Sequence, residues 1–209
     1  MKSFARIAIL LVVAAPLTLN LSSFKKEEPL TYNVNIEKST LRWTGYYLFS
    51  FGEHYGTINL SGGEIKIANQ EIVSGFFDID MKSVRNLDVP NGGNKDLENH
   101  LMSDDFFSVD KFPTSHFEIT KMEKIKDPQQ DGPNYDITGE LTIKDVKNSL
   151  TFPAIIKISD AGAEATARFK FDRTKWNVRY NSGKFFSDVG DGAISDAIGM
   201  EIHLVTSKK

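Results

Sequence analysis

The four histidines are the side chains whose type most suggests catalysis or metal binding. His116 and His203 each alternate with apolar neighbours, which places both on the outer face of a predicted strand. His54 is predicted to lie in a glycine-flanked loop, and His100 in a helical segment. A zinc site needs three or four converging ligands, yet no His-x-His or His-Glu-x-x-His spacing occurs. A metal-dependent hydrolase or isomerase would therefore need His54, His100 and Glu53 to meet at one rim.

Other catalytic arrangements are missing from the sequence. The chain has no cysteine, so it has neither a thiolate nucleophile nor a disulfide, and it has no Gly-x-Ser-x-Gly elbow. Asp78 and Asp80 share one strand face opposite apolar residues, which is typical of a solvated surface. No phosphate-binding glycine loop is present. Because these motifs are missing, we expect no catalysis and no cofactor. The net charge of -3 comes from interspersed charges, so we also expect no nucleic-acid partner.

The elements that position these residues show a period of two along most of the chain. Residues 165–172, for example, alternate alanine and phenylalanine with threonine, arginine and lysine. The pattern predicts strands over 40–47, 57–60, 63–68, 72–84, 114–125, 135–143, 150–159, 165–172 and 199–206, with a turn at 61–63. Brief helical segments are predicted at 96–107 and 191–197. This pattern predicts an all-β protein, and periodicity alone leaves both a sandwich and a barrel open.

The chain is rich in phenylalanine, with fifteen copies, and many of them fall on the inward phase of the predicted strands. A barrel of about eight strands either fills its interior with side chains or encloses one small ligand. Composition alone slightly favours a packed core and leaves a ligand cavity open. An apolar cavity would bind a long hydrocarbon chain by burying its surface, without any catalytic group.

The N-terminal segment has the features of an export signal. Lys2 and Arg6 precede an apolar run from Ile7 to Leu21, as in the charged and apolar regions of a secretory signal. We predict a signal peptide over residues 1–22, a polar leader over 23–30 and a folded domain over 31–209. The predicted location is periplasmic, and an uncleaved membrane tether is the alternative.

Several motifs occur in one order and at consistent spacing. They are LRWTG at 41–45, HYGTI at 54–58, GFFDIDMKSV at 75–84, LENHLMSDDFF at 97–107, KFPTSHF at 111–117, TGELTI at 138–143, LTFP at 150–153 and FDRTKWNVRY at 171–180. Together they resemble the YceI-like family of bacterial, lipocalin-like, polyisoprenoid-binding periplasmic proteins. The chain departs from the family pattern at Asn99, at 145–147 and at Asn177, and asparagine tolerates the left-handed conformation of the glycine that Asn177 replaces.

The resemblance implies an extended antiparallel β-barrel of about eight strands with short helical caps. Its interior would hold an isoprenoid-type or fatty-acyl lipid as a small-molecule ligand, for sequestration or transport and without catalysis. We expect Arg173, His54 and His100 near one mouth, although Arg173 has the alternative role of tying the cap to the barrel. The full predicted ligand-binding set is Trp43, His54, Phe77, Ile79, His100, Phe106, Phe107, Phe117, Ile119, Leu141, Ile143, Phe169, Phe171, Arg173, Trp176 and Ile202.

Three further possibilities stay open at this point. The first is the metal-dependent enzyme, and the second is a filled, ligand-free secreted module with a role in stress response. The third concerns partners, because both a homodimer and a position close to a membrane for lipid exchange are compatible with the sequence.

Overall fold

A computed structural model describes residues 28–90, 92–187 and 189–208. The predicted signal peptide and residues 23–27 of the predicted leader lie outside the described residues. None of the helices in the described part of the chain has the length and apolar character needed to traverse a bilayer.

The described residues form one antiparallel sheet that closes on itself. Its strands are β1 Leu30–Val34, β2 Thr40–Tyr47, β3 Glu53–Ala68, β4 Glu71–Asn86, β5 Thr114–Lys124, β6 Tyr135–Ile143, β7 Val146–Ser159, β8 Gly162–Asp172 and β9 Ile194–Lys208. Strands β2 to β9 make an eight-stranded barrel in the order β3-β2-β9-β8-β7-β6-β5-β4, and β4 pairs back with β3. The predicted all-β antiparallel barrel is thus confirmed.

Strand β1 was not predicted. It lies between β3 and β9, the same two strands that β2 pairs with, and continues β2 toward their other ends. It pairs with the second half of β3, where Leu30 is opposite Ile67, and with the end of β9, where Tyr32 is opposite Lys208. Because β1 is only five residues long, its alternation is too short to stand out in the sequence.

Strand β3 runs through the turn that the sequence predicts at 61–63, so that prediction is wrong. The register with β4 shifts between Leu60 and Gly62, and Gly63 has a φ of 150°. A Cβ on Gly63 would lie 2.6 Å from the Phe76 carbonyl oxygen. The glycine pair therefore marks a bulge and a close backbone approach inside one long strand.

The first helical prediction is right in kind but wrong in extent, and the second is wrong. Helix α1 covers Gly93–Met102 and ends at Ser103, whose backbone is extended, instead of continuing to 107. The predicted helical segment at 191–197 is wrong, because a 3₁₀ turn at Gly190–Gly192 is followed directly by β9. A second 3₁₀ turn, Arg173–Trp176, follows β8 and ends at Asn177, whose φ of 58° is left-handed as its residue type allows.

The two ends of the barrel differ. The helix end carries α1, the β2–β3 loop at 48–52 and the long connection at 177–193 that leads into β9. At the opposite end a buried cluster of Tyr32, Ile65, Ile67 and Ala163 packs beside the β3–β4 and β7–β8 turns. Helix α1 packs along β4 and buries Leu101.

Candidate functional site

A cavity of about 530 Å³ runs through the interior of the barrel. Its wall is made of the inward side chains of β2 to β9 and of Leu97, His100 and Leu101 from α1. Fifteen of the sixteen predicted ligand-binding residues line it: Trp43, His54, Phe77, Ile79, His100, Phe106, Phe107, Phe117, Ile119, Leu141, Ile143, Phe169, Phe171, Arg173 and Ile202.

Phenyl rings pack along the wall instead of meeting across the centre. Phe152 and Phe169 stack with centroids 4.2 Å apart, and Phe117 lies 5.7 Å from Phe152 and 6.5 Å from Phe77. Stacked and tilted contacts of this kind hold each ring against its neighbours. The aromatic residues therefore form part of the cavity lining.

Small residues on β8 explain why the interior is hollow. Its first inward residues are Ala163, Ala165 and Ala167, which line the cavity where larger side chains would fill it. Inward residues such as Ile202 and Met200 are partly exposed, so space large enough for a water molecule lies beside them. The interior therefore holds a cavity, so the alternative of a filled barrel does not match the structure.

The polar groups of the cavity lie at the helix end. The Tyr47 hydroxyl lies 2.9 Å from His54 Nε2, and His54 Nδ1 lies 2.7 Å from Asp88 Oδ2. Asp88 also accepts a hydrogen bond from the main-chain N–H of Tyr55 and one from the Asn86 side chain. Pairing of β2 with β3 brings Tyr47 and His54 together across the β2–β3 loop, and Asp88 follows the end of β4.

The Asp88 carboxylate fixes the proton on the His54 ring. Burial raises the pKa of Asp88, but the hydrogen bonds from His54, Tyr55 and Asn86 together hold it below its ordinary value of 3.8. An ionised carboxylate only accepts, so His54 Nδ1 carries a proton. In the neutral imidazole, Nε2 then accepts a hydrogen bond from the Tyr47 O–H. The Tyr47 oxygen can still accept a hydrogen bond from a donor in the cavity.

His100 brings a second polar atom to the same end. Its Nε2 is buried and has no hydrogen-bond partner within the protein. The ring lies edge-on to Tyr180, with centroids 4.4 Å apart, and 6.0 Å from Phe106. A buried polar atom without a partner is costly unless a ligand or water satisfies it. His100 is thus equipped to hydrogen-bond the polar end of a ligand.

Arg173 lines the cavity but is already engaged with the main chain. Its side chain is 1% exposed and donates to the carbonyl oxygens of Val178, Tyr180 and Ser195 at 2.8 to 3.1 Å. Burial lowers the pKa of Arg173 against the opposing effect of the nearby carboxylates. The geometry matches the alternative in which Arg173 ties the connection at 177–193 to the barrel.

The comparisons with known proteins agree with this architecture. A family model described as the YceI-like domain matches residues 32–206. The chain belongs to the YceI-like family. No curated protein sequence matches it significantly.

Two solved structures share the YceI-like fold of this chain at low identity. BcnA from Burkholderia cenocepacia is 20% identical, with a TM-score of 0.61 over 82% of this chain and 98% of its own. A polyisoprenoid binding domain from Saccharophagus degradans, implicated in plant cell wall breakdown, is 12% identical, with a TM-score of 0.58 over 86% and 99% of the two chains. At these identities the likeness shows the fold alone.

Trp176 is the predicted site residue that does not line the cavity of this YceI-like barrel, so its placement there is wrong. It is 1% exposed, its Nε1 donates to the Leu141 carbonyl oxygen at 2.8 Å, and its ring packs edge-on against Phe171. The 3₁₀ turn at Arg173–Trp176 takes the chain out of the strand alternation, so Trp176 packs in the buried cluster with Leu141 instead of lining the cavity.

The remaining histidines of the YceI-like domain lie on its outer surface, as their phase predicts. His116 Nδ1 lies 2.7 Å from Asp78, and His203 Nε2 lies 2.8 Å from Glu164. Across residues 28–90, 92–187 and 189–208, no three His, Asp or Glu side chains converge as a metal-binding group would. The alternative of a rim metal site therefore has no ligand set in the described part of the chain.

Sequence reasoning missed Tyr47, Asp88 and Tyr180, which shape the polar end of the YceI-like cavity. Asp88 lies in a loop, where no alternation reports which way a side chain points. Tyr47 is the last residue of β2 and falls on the inward phase of its alternation, so the sequence did contain a signal for its position.

Proposed function

We propose that this protein binds a long-chain lipid of isoprenoid type, or a similar long apolar molecule, inside the barrel and sequesters or carries it without chemical change. The observation that carries the proposal is the cavity of about 530 Å³, whose wall is apolar except at the helix end. Burying hydrocarbon in such a space contributes about 25 cal/mol per Å² of apolar surface. The description of the Saccharophagus degradans neighbour as a polyisoprenoid binding domain agrees with this ligand class.

The proposed ligand has an uncharged polar end. Within the described residues no carboxylate or lysine lines the cavity, and its one guanidinium, that of Arg173, already donates to main-chain carbonyls. An anionic head would therefore enter an apolar space without a free counter-charge, which is costly. A hydroxyl or an amide N–H can instead donate to the Tyr47 oxygen, and a hydroxyl, carbonyl or amide can bond to His100 Nε2.

The same groups set the direction of the ligand. Tyr47, His54, His100 and Tyr180 lie at the helix end, whereas Ile137, Ile156 and Ala163 line the other end. The polar end of the ligand accordingly lies at the helix end, and its hydrocarbon tail points toward the buried cluster at the opposite end.

We also propose that the protein is exported and acts in the periplasm. Support comes from the sequence, in which the charged start and apolar run of residues 1–22 have the composition of a secretory signal. Protein blotting of periplasmic and cytoplasmic fractions, with N-terminal sequencing of the mature chain, tests this part.

A cavity-blocking variant tests the binding proposal. Ala165 lines the middle of the cavity, and Ala165→Phe places a ring in the space for the ligand. Thr166→Phe is the matched control, because Thr166 is exposed on the outer face of the same strand. Lipid extraction and mass spectrometry of protein purified from its native organism should find lipid in wild type and in the control, and at least about tenfold less in Ala165→Phe.

Two results would count against the proposal. Wild-type protein that carries no lipid and takes up none from a lipid extract would contradict binding. A ligand that is converted to a product of different mass during incubation with pure protein would contradict a role without catalysis.

A further inference from the structure

Large apolar side chains stand exposed around the helix end of the barrel. Phe51 is fully exposed, Phe49 is 70% exposed, and four others are about half exposed. We call this set the apolar rim, and its members are Leu48, Phe49, Phe51, Leu87, Phe185 and Phe186. Contiguous exposed apolar residues mark an interaction site more often than chance.

Three segments bring the rim together. The Leu48 N–H donates to the Ala193 carbonyl oxygen at 2.9 Å, which joins the β2–β3 loop to the connection at 177–193. The Leu87 N–H donates to Tyr55 O at 2.9 Å, so Leu87 lies beside the start of β3. Phe185 and Phe186 both donate their N–H to the carbonyl oxygen of the fully buried Ser182, which anchors their turn.

The rim lies around the polar end of the cavity. Tyr47, which precedes Leu48, lines the cavity, as do Asn181 and Gly192 from the connection that carries Phe185 and Phe186. Tyr180 and Gly192 are themselves exposed, so the cavity reaches solvent here. Elsewhere in the described residues, exposed large apolar side chains are isolated ones such as Leu30, Ile36 and Val73.

The charges around the rim are suited to an interface between water and lipid. The Arg179 guanidinium lies 4.4 Å from the centre of the Phe185 ring. Lys184 pairs with Asp172 at 2.8 Å and with Asp196 at 3.0 Å, and the Arg173 guanidinium lies 3.8 Å from Asp196, so two cations offset the two carboxylates. Aromatic rings beside cations are typical of protein segments that lie at the level of lipid head groups.

We propose that the apolar rim inserts into the head-group region of a phospholipid bilayer and seats the mouth of the cavity on the membrane. This inference rests on the proposed function, because docking lets a long-chain ligand pass between bilayer and barrel without its tail crossing water. A second copy of the chain on the same rim would cover the opening through which the ligand has to pass. The free energy of docking comes from burial of the apolar rim, so docking does not require anionic lipid.

The absence of cysteine makes a direct test possible in the full chain. Single variants Phe51→Cys and Phe185→Cys, each labelled with an environment-sensitive fluorophore, report the depth of the rim itself. Val73→Cys is the matched control, because Val73 is about half exposed, as Phe185 is, but lies near the β3–β4 turn at the opposite end. With neutral phosphatidylcholine vesicles we expect a blue shift and quenching by nitroxide-labelled lipid at residues 51 and 185 and neither effect at 73.

A transfer measurement connects docking to the proposed ligand. The variant Phe49→Ser/Phe51→Ser should slow the transfer of a pyrene-labelled long-chain alcohol from vesicles by about tenfold or more, with the amount bound at equilibrium unchanged. The control Leu30→Ser/Val73→Ser, which removes two exposed apolar residues far from the rim, should transfer it at the wild-type rate.

The outcomes separate the two proposals. Binding of the alcohol with the labels at 51 and 185 still in water would overturn the docking inference and leave the proposed function intact. Insertion of those labels without binding of the alcohol by any form would support docking and contradict the proposed function. Loss of a dimer in the rim variant, with no insertion in wild type, would overturn docking in favour of a second copy.

Discussion

Arg173 shows how a charged side chain in a cavity wall can serve the fold and not the ligand. Its guanidinium reaches main-chain oxygens on both sides of the connection at 177–193, at Val178 and at Ser195. Water cannot replace the guanidinium as the donor to those oxygens, because the side chain is almost completely buried. The presence of an arginine at position 173 is therefore explained by the carbonyl groups to which it donates.

We predict that Arg173→Met lowers the free energy of unfolding by about 3 kcal/mol or more, because it leaves several buried carbonyl groups without a donor. Arg173→Lys should recover only part of this loss, since one ammonium cannot match the fork of the guanidinium. Arg179→Met is the control, because Arg179 is exposed, and it should change stability by less than about 0.5 kcal/mol. Urea unfolding measures all three, and a stable Arg173→Met would contradict the assigned role.

Asp88 gives a prediction that depends on pH. Its pKa is lower in the folded protein than the ordinary 3.8 of an unfolded chain, so folding favours the carboxylate. The stabilisation is complete above the ordinary value and disappears as the pH falls through the lower folded value. Asp88→Asn should therefore be less stable than wild type at neutral pH, and the difference should vanish in strong acid.

Thermal unfolding of wild type and Asp88→Asn between about pH 7 and pH 2 checks this dependence. Asp136→Asn, which changes an exposed carboxylate on the outer face of β6, is the control. A difference between wild type and Asp88→Asn that stays constant down to the lowest pH would show that the Asp88 carboxylate contributes nothing as an ion.

At the scale of single elements, alternation predicted the strands and failed where the chain leaves regular strand geometry. The bounds of β6 were predicted to the residue, because Ile137, Leu141 and Ile143 alternate inward without interruption. The glycine pair at Gly62 and Gly63 predicts a turn, but the structure has a β-bulge there, because a glycine pair is typical of both. Whether such a pair forms a turn or a bulge depends on the partner strand, and the sequence of one segment does not contain that information.

Gly56 allows a prediction about how β3 and β4 close the barrel. A Cβ on Gly56 would overlap the Arg85 carbonyl oxygen and crowd the Trp43 ring. Because backbone cannot move aside as a flexible side chain can, Gly56→Ala should lower the free energy of unfolding by about 1 to 3 kcal/mol. Gly62→Ala is the control in the same strand, since nothing lies within 4 Å of its added Cβ. Equal stability of the two variants, measured by urea unfolding, would contradict the close approach of β3 to β4.

At the scale of the whole molecule, the fold could be predicted from the sequence but the hollow interior could not. Strand number and inward phase suffice for a barrel, whereas a cavity depends on the summed volumes of facing side chains. Alanines at 163, 165 and 167 leave the space beside a wall that aromatic residues line elsewhere. That balance becomes visible only when the register of every strand is known.

The distribution of polar groups along the cavity leads to a prediction about the bound state. With Tyr47, His54 and His100 at the helix end and only apolar lining at the other, an uncharged amphipathic ligand has one favourable direction. A long-chain alcohol with a diazirine at the end of its tail should crosslink, on illumination, to peptides that contain Ile137 or Ile156.

The same alcohol with its diazirine beside the hydroxyl should crosslink instead to peptides that contain Tyr47, His54 or Tyr180. Mass spectrometry of digests from the two probes distinguishes them in wild-type protein, without any substitution that could disturb the fold. In the reverse direction the hydroxyl would lie among Ile137 and Ile156 without a partner, and an unpaired buried hydroxyl costs about 1 to 3 kcal/mol. Because about 1.4 kcal/mol corresponds to a tenfold ratio, the expected preference is roughly fivefold or more. Equal labelling of both ends by both probes would mean that the polar groups at the helix end do not orient the ligand.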